Sequence, residues 1–209
     1  MIRLSTGNRK LANNEKVRFL IWNVPAQTTC PYSTELCRKY CYAKKAERLY
    51  KGVLQSRMDN YNESLKADFE WDMCATIARE VMRKPYQGKQ ILFRIHESGD
   101  FYSKEYAEKW LNIARSFPNI KFLAYTKSIP FFDGLTLPDN FTLRASIWAD
   151  TDSGQIEAIV ANNYPTYTAV PKDEYATLAP SMRCDCAIGC GDCKKCWNKN
   201  IKSLITAIH

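Results

Sequence analysis

Nine cysteines carry most of the chemistry that this sequence offers, and eight of them fall into two groups. One group of three and one group of five are separated by about 140 residues: Cys30, Cys37 and Cys41, then Cys184, Cys186, Cys190, Cys193 and Cys196. Because disulfides are rare in reducing compartments, such groups indicate metal ligation by thiolates. The remaining cysteine, Cys74, lies on an apolar helical face and is interpreted as a core thiol.

The first group supplies three thiolates with no fourth ligand of a usual kind nearby. Structural zinc is held by four ligands, whereas an iron–sulfur cluster held by three thiolates keeps one iron open for a substrate or cofactor. Cys30, Cys37 and Cys41 therefore predict a reactive [4Fe–4S] cluster. The alternative is three structural cysteines in a turn between a loop and a helix.

The second group repeats at the spacing of bacterial ferredoxins, with Cys190, Cys193 and Cys196 three residues apart. Gly189 and Gly191 supply the tight turns that such a loop needs. We expect a second, closed [4Fe–4S] cluster in which Cys186 or Cys184 is the fourth ligand, and the other is spare or completes the first site. A four-cysteine zinc site has the same spacing and is the alternative.

Composition indicates one globular domain, with an appendage, in the 209 residues, of which 45% are hydrophobic and 25% charged. No stretch approaches the ~20 apolar residues of a membrane span, and the N-terminal residues lack the apolar core of a signal peptide. A cytoplasmic protein without a membrane partner is expected. The net charge of +8 permits contact with nucleic acid.

Alternating apolar runs and helical patterns predict the elements that position these residues. Buried strands are expected at 17–23, 90–96, 121–127, 141–148 and 166–170, and helices at 41–50, 58–83, 103–117, 152–161 and 197–208. Such alternation predicts an α/β fold with a parallel sheet. Because no phosphate-binding glycine motif follows a strand, a partial (β/α) barrel over 1–175 is favoured, with the cysteine-rich segment 176–209 packed on the same domain.

In such barrels the chemistry lies at the C-terminal ends of the strands, so the polar residues at those ends should converge with the first cysteines. His96 is a candidate proton shuttle, and the carboxylate of Glu97 or Asp100 could hold a cationic cofactor group. A core histidine and a capping aspartate are the alternative. Lys127 is expected to face the same cavity or its exposed rim. Arg94 and Arg144, inside strands, need a carboxylate or ligand partner if they are buried.

The second cysteine group is flanked by basic residues that could touch nucleic-acid phosphates while Trp197 stacks on a base: Lys194, Lys195, Lys199 and Lys202. A solvated helix face is the alternative for these lysines.

Several phrases resemble the phage "gene product 88" family of uncharacterised proteins. They are NRKL at 8–11, VPAQTTCP at 24–31, CRKYCYA at 37–43, RIHESGDFYSKEY at 94–106, AYTKS at 124–128 and CGDCKKCW at 190–197. The resemblance implies a phage or prophage origin, and hence the cytoplasm of a host cell. It implies no established activity.

A strand followed by three cysteines and further βα units also resembles radical S-adenosylmethionine (SAM) enzymes. In that family the motif is CxxxCxxC with an aromatic residue before the last cysteine; here Tyr40 precedes Cys41, and the spacing is CxxxxxxCxxxC. A Gly-Gly-Glu type segment after the second strand grips the SAM amino group in that family. Its place is taken here by the turn Glu97, Ser98, Gly99 and Asp100, and Ser146 matches a ribose-contacting residue of the fourth strand.

The leading hypothesis is an iron–sulfur enzyme, similar to radical SAM enzymes, with two [4Fe–4S] centres and a small-molecule or macromolecular substrate that the sequence does not name. Redox activity would require a reductant protein as partner. The alternatives are a nucleic-acid-binding module stabilised by a cluster or by zinc, and an electron carrier without a substrate.

Overall fold

A curled sheet of six parallel strands forms the centre of the computed structural model, which describes residues 2–7, 11, 14–184 and 189–208. The strands, in chain order, are β1 Val17–Trp22, β2 Gln90–Ile95, β3 Lys121–Thr126, β4 Phe141–Ile147, β5 Thr166–Val170 and β6 Ser203–Ala207. Each strand pairs in parallel with its neighbour in sequence, so the spatial order is β1 to β6. The sheet is a half-barrel, which confirms the predicted partial (β/α) barrel.

Eight α-helices connect or follow the strands in the described residues. They are α1 Glu35–Lys39, α2 Tyr42–Leu49, α3 Val53–Ser64, α4 Phe69–Met82, α5 Lys104–Ser116, α6 Ser153–Ala161, α7 Lys172–Thr177 and α8 Cys190–Cys193. Right-handed crossovers that always step the same way place the connecting helices on one face of a sheet. None of the described helices is long and apolar enough to span a membrane.

The two faces of the sheet bury different partners, because successive strand residues point to opposite sides. The helix-covered face packs Trp22, Phe93 and Phe122 against Phe69 of α4 and Trp110 of α5. The other face, here called the inner face, is covered by the chain that follows β5. The hydrophobic cluster on the inner face combines residues of the first strands with residues of the C-terminal segment. Its buried members are Leu11, Val17, Phe19, Ile21, Leu92, Leu123, Cys196, Trp197 and Leu204.

The five predicted strands are confirmed to within one residue at each end. The predicted helices at 103–117 and 152–161 are also confirmed, because side-chain oxygens of Ser103 and Asp152 accept hydrogen bonds from the first turns of α5 and α6. The single helix expected over 58–83 is wrong. It is two helices, α3 and α4, interrupted where the Leu65 side chain lies 57% exposed instead of joining the apolar stripe.

The predicted helix over 197–208 is also wrong. Its second half is β6, which pairs with β5 from Thr166↔Ser203 to Val170↔Ala207. Isoleucine and threonine, the β-branched residues of this stretch, favour a strand, and the pairing buries Leu204 on the inner face.

Arg144 on β4 holds the C-terminal segment on the inner face. Its fully buried guanidinium donates five hydrogen bonds of 2.9 to 3.3 Å to backbone carbonyl oxygens, and four of the acceptors lie in the C-terminal segment: Lys195, Cys196, Asn198 and Ile201, with Thr166 as the fifth. The buried Arg144 guanidinium is therefore paired with backbone carbonyl oxygens and not with the expected carboxylate or ligand. The same arginine fixes the cysteine-rich segment relative to the sheet.

Candidate functional site

The first three cysteines lie together at the C-terminal end of the half-barrel. The loop after β1 carries Cys30, whose amide donates to the Gln27 carbonyl oxygen at 3.2 Å. Cys37 lies in α1, with its amide 3.3 Å from the capping hydroxyl oxygen of Thr34. Cys41 is the N-cap of α2, and its Sγ accepts a hydrogen bond from the Lys44 amide at 3.4 Å.

Electrostatics shows that these thiols share one environment. Burial, the nearby Asp100 carboxylate and the other two thiols together raise the pKa of Cys30 to about 12, and a hydrogen bond from the Gln27 backbone opposes the shift. Burial also raises the pKa of Cys37, with the Lys127 ammonium opposing the shift. No three His, Cys, Asp or Glu side chains in the described part of the chain surround a single metal-ion position.

Lys127 is the buried cation of this site. It follows β3 and is 4% exposed, and its Nζ donates to the Ser146 carbonyl oxygen at 2.9 Å and lies 3.4 Å from the Ser146 hydroxyl. Burial lowers its pKa to about 8, while Cys37, Asp100 and Asp150 act in the opposite direction. Within the described residues no carboxylate forms an ion pair with this ammonium. A buried, perturbed lysine at a strand end is typical of a functional site.

The turn after β2 is packed directly against the first cysteine loop. Gly99 has φ +81°, and a Cβ there would lie 2.3 Å from Cγ2 of Val24 and 2.6 Å from Oγ1 of Thr29. The Asn23 side-chain oxygen accepts from the amides of Glu97 and Ser98 at 2.8 and 2.9 Å. The close approach at Gly99 therefore serves the protein's own loop.

Asp100 and Ser98 are occupied by protein partners. Oδ1 of Asp100 accepts from the Thr126 hydroxyl at 2.5 Å and the Phe101 amide at 2.7 Å, and Oδ2 accepts from the Lys127 amide at 2.9 Å. Burial raises the pKa of Asp100 to about 6 against these hydrogen bonds. The Ser98 hydroxyl donates to the Val24 carbonyl oxygen at 3.0 Å. These residues fix the turn to β1 and β3.

His96 lies in the helix-covered core rather than on the inner face. Strand alternation would place it beside Arg94, but its φ of +59° breaks the alternation. Its Nε2 is 3.0 Å from the Tyr106 hydroxyl, and burial lowers its pKa to about 3. Its Nδ1 is buried without a hydrogen-bond partner among the described residues. The core-histidine interpretation fits this placement.

Arg94 and Glu97 lie near Tyr42, the residue that follows Cys41. The Arg94 guanidinium stacks 3.7 Å from the centre of the Tyr125 ring on the inner face and donates to the His96 carbonyl oxygen at 3.2 Å. The backbone carbonyl of Glu97 accepts the Tyr42 hydroxyl at 2.5 Å. This contact joins the start of α2 to the turn after β2.

The structure also brings part of the second cysteine group together. The Cys184 and Cys196 side chains are hydrogen-bonded on the inner face, and this contact, followed by burial, raises the pKa of Cys196. Cys190 packs at the edge of the same cluster, and Cys193 closes α8. Cys186 lies outside the described residues.

The basic residues around this group are tied to the protein. Lys194 donates to the Gln90 side chain at 2.8 Å, Lys199 pairs with Asp139 at 2.9 Å, and Lys202 lies 3.4 Å from the Asn163 carbonyl oxygen. Trp197 is 7% exposed, and its ring centre lies 5.7 Å from that of Phe19. The prediction that Trp197 stacks on a base is therefore wrong, because its ring is part of the inner-face core.

Sequence reasoning missed two residues that hold the site in place. Asn23 clamps two amides of the turn after β2, and Glu47 of α2 accepts the Ala26 amide at 2.7 Å. The sequence does mark both positions, because Asn23 is a polar residue directly after an apolar strand and Glu47 is the one acidic residue in a basic helix.

Fold and site together define an α/β half-barrel protein with cysteine-rich segments at its C-terminal mouth and on its inner face. A family model described as "Gene product 88" matches residues 2–199, so the chain belongs to that family. Two relatives are the Gene 88 proteins of Mycobacterium phage D29, 36% identical over 104 residues, and Mycobacterium phage L5, 33% identical over 105 residues. Each alignment covers 47% of this chain and 42% or 43% of the relative, less than half of its length.

No solved structure matches the chain. The comparisons therefore support the resemblance to the phage family and give no support to the resemblance to radical SAM enzymes.

Proposed function

We propose that this chain is an iron–sulfur redox enzyme in which Cys30, Cys37 and Cys41 hold a [4Fe–4S] cluster at the mouth of the half-barrel. The observation that carries the proposal is the mutual electrostatic interaction of the three thiols, of which Cys37 also interacts with the buried Lys127 ammonium. Three ligands leave one iron without a protein donor, which is the arrangement that chemistry on a bound ligand requires.

The donor set suits a cluster better than a single ion. Structural zinc needs four ligands at tetrahedral positions, and the first cysteine group supplies three. A cluster spreads its thiolates over several iron atoms and so accepts a wider triangle of sulfurs. Burial disfavours the ionised thiols, and the positive charge of a metal centre offsets that cost.

Lys127 and Trp148 line the space beside the first cysteine group in which a ligand of the open iron would lie. The Lys127 ammonium, fixed by the Ser146 carbonyl oxygen, would attract a carboxylate or phosphate of a ligand on the open iron. Trp148, whose ring centre is 5.6 Å from Lys127 Nζ, forms an apolar wall beside it. S-adenosylmethionine is the proposed ligand; when bound, it would supply a sulfonium whose carbon–sulfur bond can be cleaved by one electron from the reductant protein.

The C-terminal cysteines are proposed to hold the second centre, a closed [4Fe–4S] cluster with zinc as the alternative. The contact between Cys184 and Cys196 beneath Arg144 supports a common centre, and Cys190, Cys193 and Cys186 supply further thiolates. Such a centre would relay electrons from a reductant protein through the half-barrel.

The test is iron and sulfide analysis of anaerobically reconstituted protein. Wild type should bind about eight iron atoms per chain, as two cubanes require. Cys30→Ser/Cys37→Ser/Cys41→Ser should lose about half of the iron, and Cys193→Ser about the other half, if each cluster holds four irons. Cys74→Ser, a thiol packed beside the helix-covered core, is the matched control and should keep all of it.

Titration with S-adenosylmethionine should change the electron paramagnetic resonance spectrum of reduced wild type and of Cys193→Ser, but not that of the triple variant. Iron-free wild type, or full iron content in the triple variant, would refute the proposed first cluster. Zinc without iron would instead identify a zinc-stabilised module.

A further inference from the structure

A basic surface borders the cysteine mouth. Residues 38–51 contain six Lys and Arg residues whose side chains are exposed: Arg38, Lys39, Lys44, Lys45, Arg48 and Lys51. The stretch has one carboxylate, Glu47, which is 8% exposed and pairs with Arg57 at 3.0 Å and Lys44 at 3.3 Å. The outward charge of this surface, here called the basic helix face, is therefore almost entirely positive.

Exposed tyrosines lie between these cations. Tyr40, Tyr42 and Tyr50 are 41%, 56% and 64% exposed, and Lys39 Nζ lies 5.4 Å from the centre of the Tyr40 ring. A cleft of about 660 Å³ runs among Arg38, Tyr40, Cys41, Lys45 and Arg48. Basic and aromatic side chains thus share one depression with a proposed cluster ligand.

The basic helix face is fixed to the mouth. Glu47 anchors α2 by accepting the Ala26 amide at 2.7 Å in the loop that leads to Cys30. The Tyr40 ring lies nearly parallel to Trp148, at 17° and 6.3 Å between centres, and Trp148 in turn faces Lys127. One aromatic pair therefore connects the outer surface with the buried ammonium.

We propose that the basic helix face binds single-stranded nucleic acid, with phosphates along its Lys and Arg residues and an unpaired base on the Tyr40–Trp148 pair. Positive grooves with exposed aromatic rings are the arrangement that binds single strands, because every base offers a flat face for stacking. A duplex hides those faces, and a membrane surface has none. Binding needs no metal; the delivery of a nucleotide to the cysteine mouth as substrate rests on the proposed function.

The test is fluorescence anisotropy of the full chain with labelled oligo(dT) and oligo(U) of about 20 nucleotides, between about 50 and 200 mM salt. Lys39→Ala/Lys45→Ala/Arg48→Ala should weaken binding at least about tenfold and reduce the slope of log affinity against log salt by about 2. Tyr40→Ala should weaken binding about 5- to 150-fold, whereas Tyr40→Phe, which keeps the ring, should bind as wild type does.

The matched control is Lys16→Ala/Lys84→Ala/Lys121→Ala, which removes the same charge from exposed lysines near the N-terminal ends of β1, β2 and β3. It should bind as wild type does. Equal binding by both triple variants, equal affinity for a duplex of the same length, or binding to anionic vesicles but not to oligonucleotides would overturn the proposal. The two oligonucleotides distinguish RNA from DNA as the source of the strand.

Iron analysis separates this proposal from the proposed function. Loss of iron in Cys30→Ser/Cys37→Ser/Cys41→Ser with unchanged oligonucleotide binding supports both. An iron-free wild type that still binds single strands refutes only the cluster, and an iron-loaded wild type that binds none refutes only the nucleic-acid surface.

Discussion

Replacing Arg144 with Met should detach the C-terminal segment from the inner face. The guanidinium makes five hydrogen bonds to backbone carbonyl oxygens, and methionine has a similar length but no donor. At a net value of about 1 kcal/mol for each bond, with incomplete additivity, the free energy of unfolding should fall by about 4 kcal/mol. That is a large part of the 5–15 kcal/mol that typically stabilises a domain, roughly a quarter or more.

The measurement is urea unfolding together with amide hydrogen exchange. A loss of about 4 kcal/mol corresponds to a midpoint lower by about 1.5–2 M urea, and exchange should quicken most over residues 195–207. Arg83→Met is the matched control, because Arg83 pairs with Glu80 on the surface and its loss should cost less than about 1 kcal/mol. An Arg144→Met protein with the wild-type midpoint and wild-type exchange would refute the view that this arginine holds the segment.

Two further predictions test the site's framework. Gly99→Ala should lower the free energy of unfolding, measured in urea, by about 2–4 kcal/mol, because the new Cβ would overlap Val24 and Thr29. Gly88 also has a positive φ, +70°, but open space around it, so Gly88→Ala should lower the free energy of unfolding by only about 1 kcal/mol. Equal losses in the two variants would contradict the close approach at Gly99. For His96, the folded pKa of about 3 lies below the ordinary 6.5, so the unfolded chain binds an extra proton between these values and stability falls as pH falls through that window. His96→Gln should remove that component, up to about 1.4 kcal/mol per pH unit, and an unchanged pH profile would show that the buried histidine is not its source.

The sequence was sufficient for most of the half-barrel. Apolar runs bounded by polar residues located β1 to β5, and the capping serine Ser103 located the start of α5. It failed at β6, because an edge strand with one buried side and a short helix show similar apolar patterns. The break between α3 and α4 was hidden for a related reason, since the apolar spacing continues through Leu65 although that residue is exposed.

The placement of site residues depended on contacts that no local pattern encodes. The positive φ of His96 reverses the side to which its ring points. Asp100 accepts hydrogen bonds from Thr126 at the end of β3 and from Lys127 just after it, contacts that no local pattern around Asp100 indicates. The partners of Arg144 come from a segment about 50 residues further along, as carbonyl oxygens that any residue types could have supplied. The sequence predicted correctly that Lys127 lies at a strand end. It left open whether the side chain is buried or exposed, and in the structure Lys127 is buried.

The sheet order carries a consequence for biosynthesis. Because every strand pairs with the one before it in sequence, the half-barrel can grow strand by strand as the ribosome extends the chain. The segment that covers the inner face is translated after β5, so until then the Arg144 guanidinium and the apolar residues around it face solvent. The nascent chain therefore passes through a stage in which its first cysteine loop is complete while the apolar residues of its inner face are still uncovered.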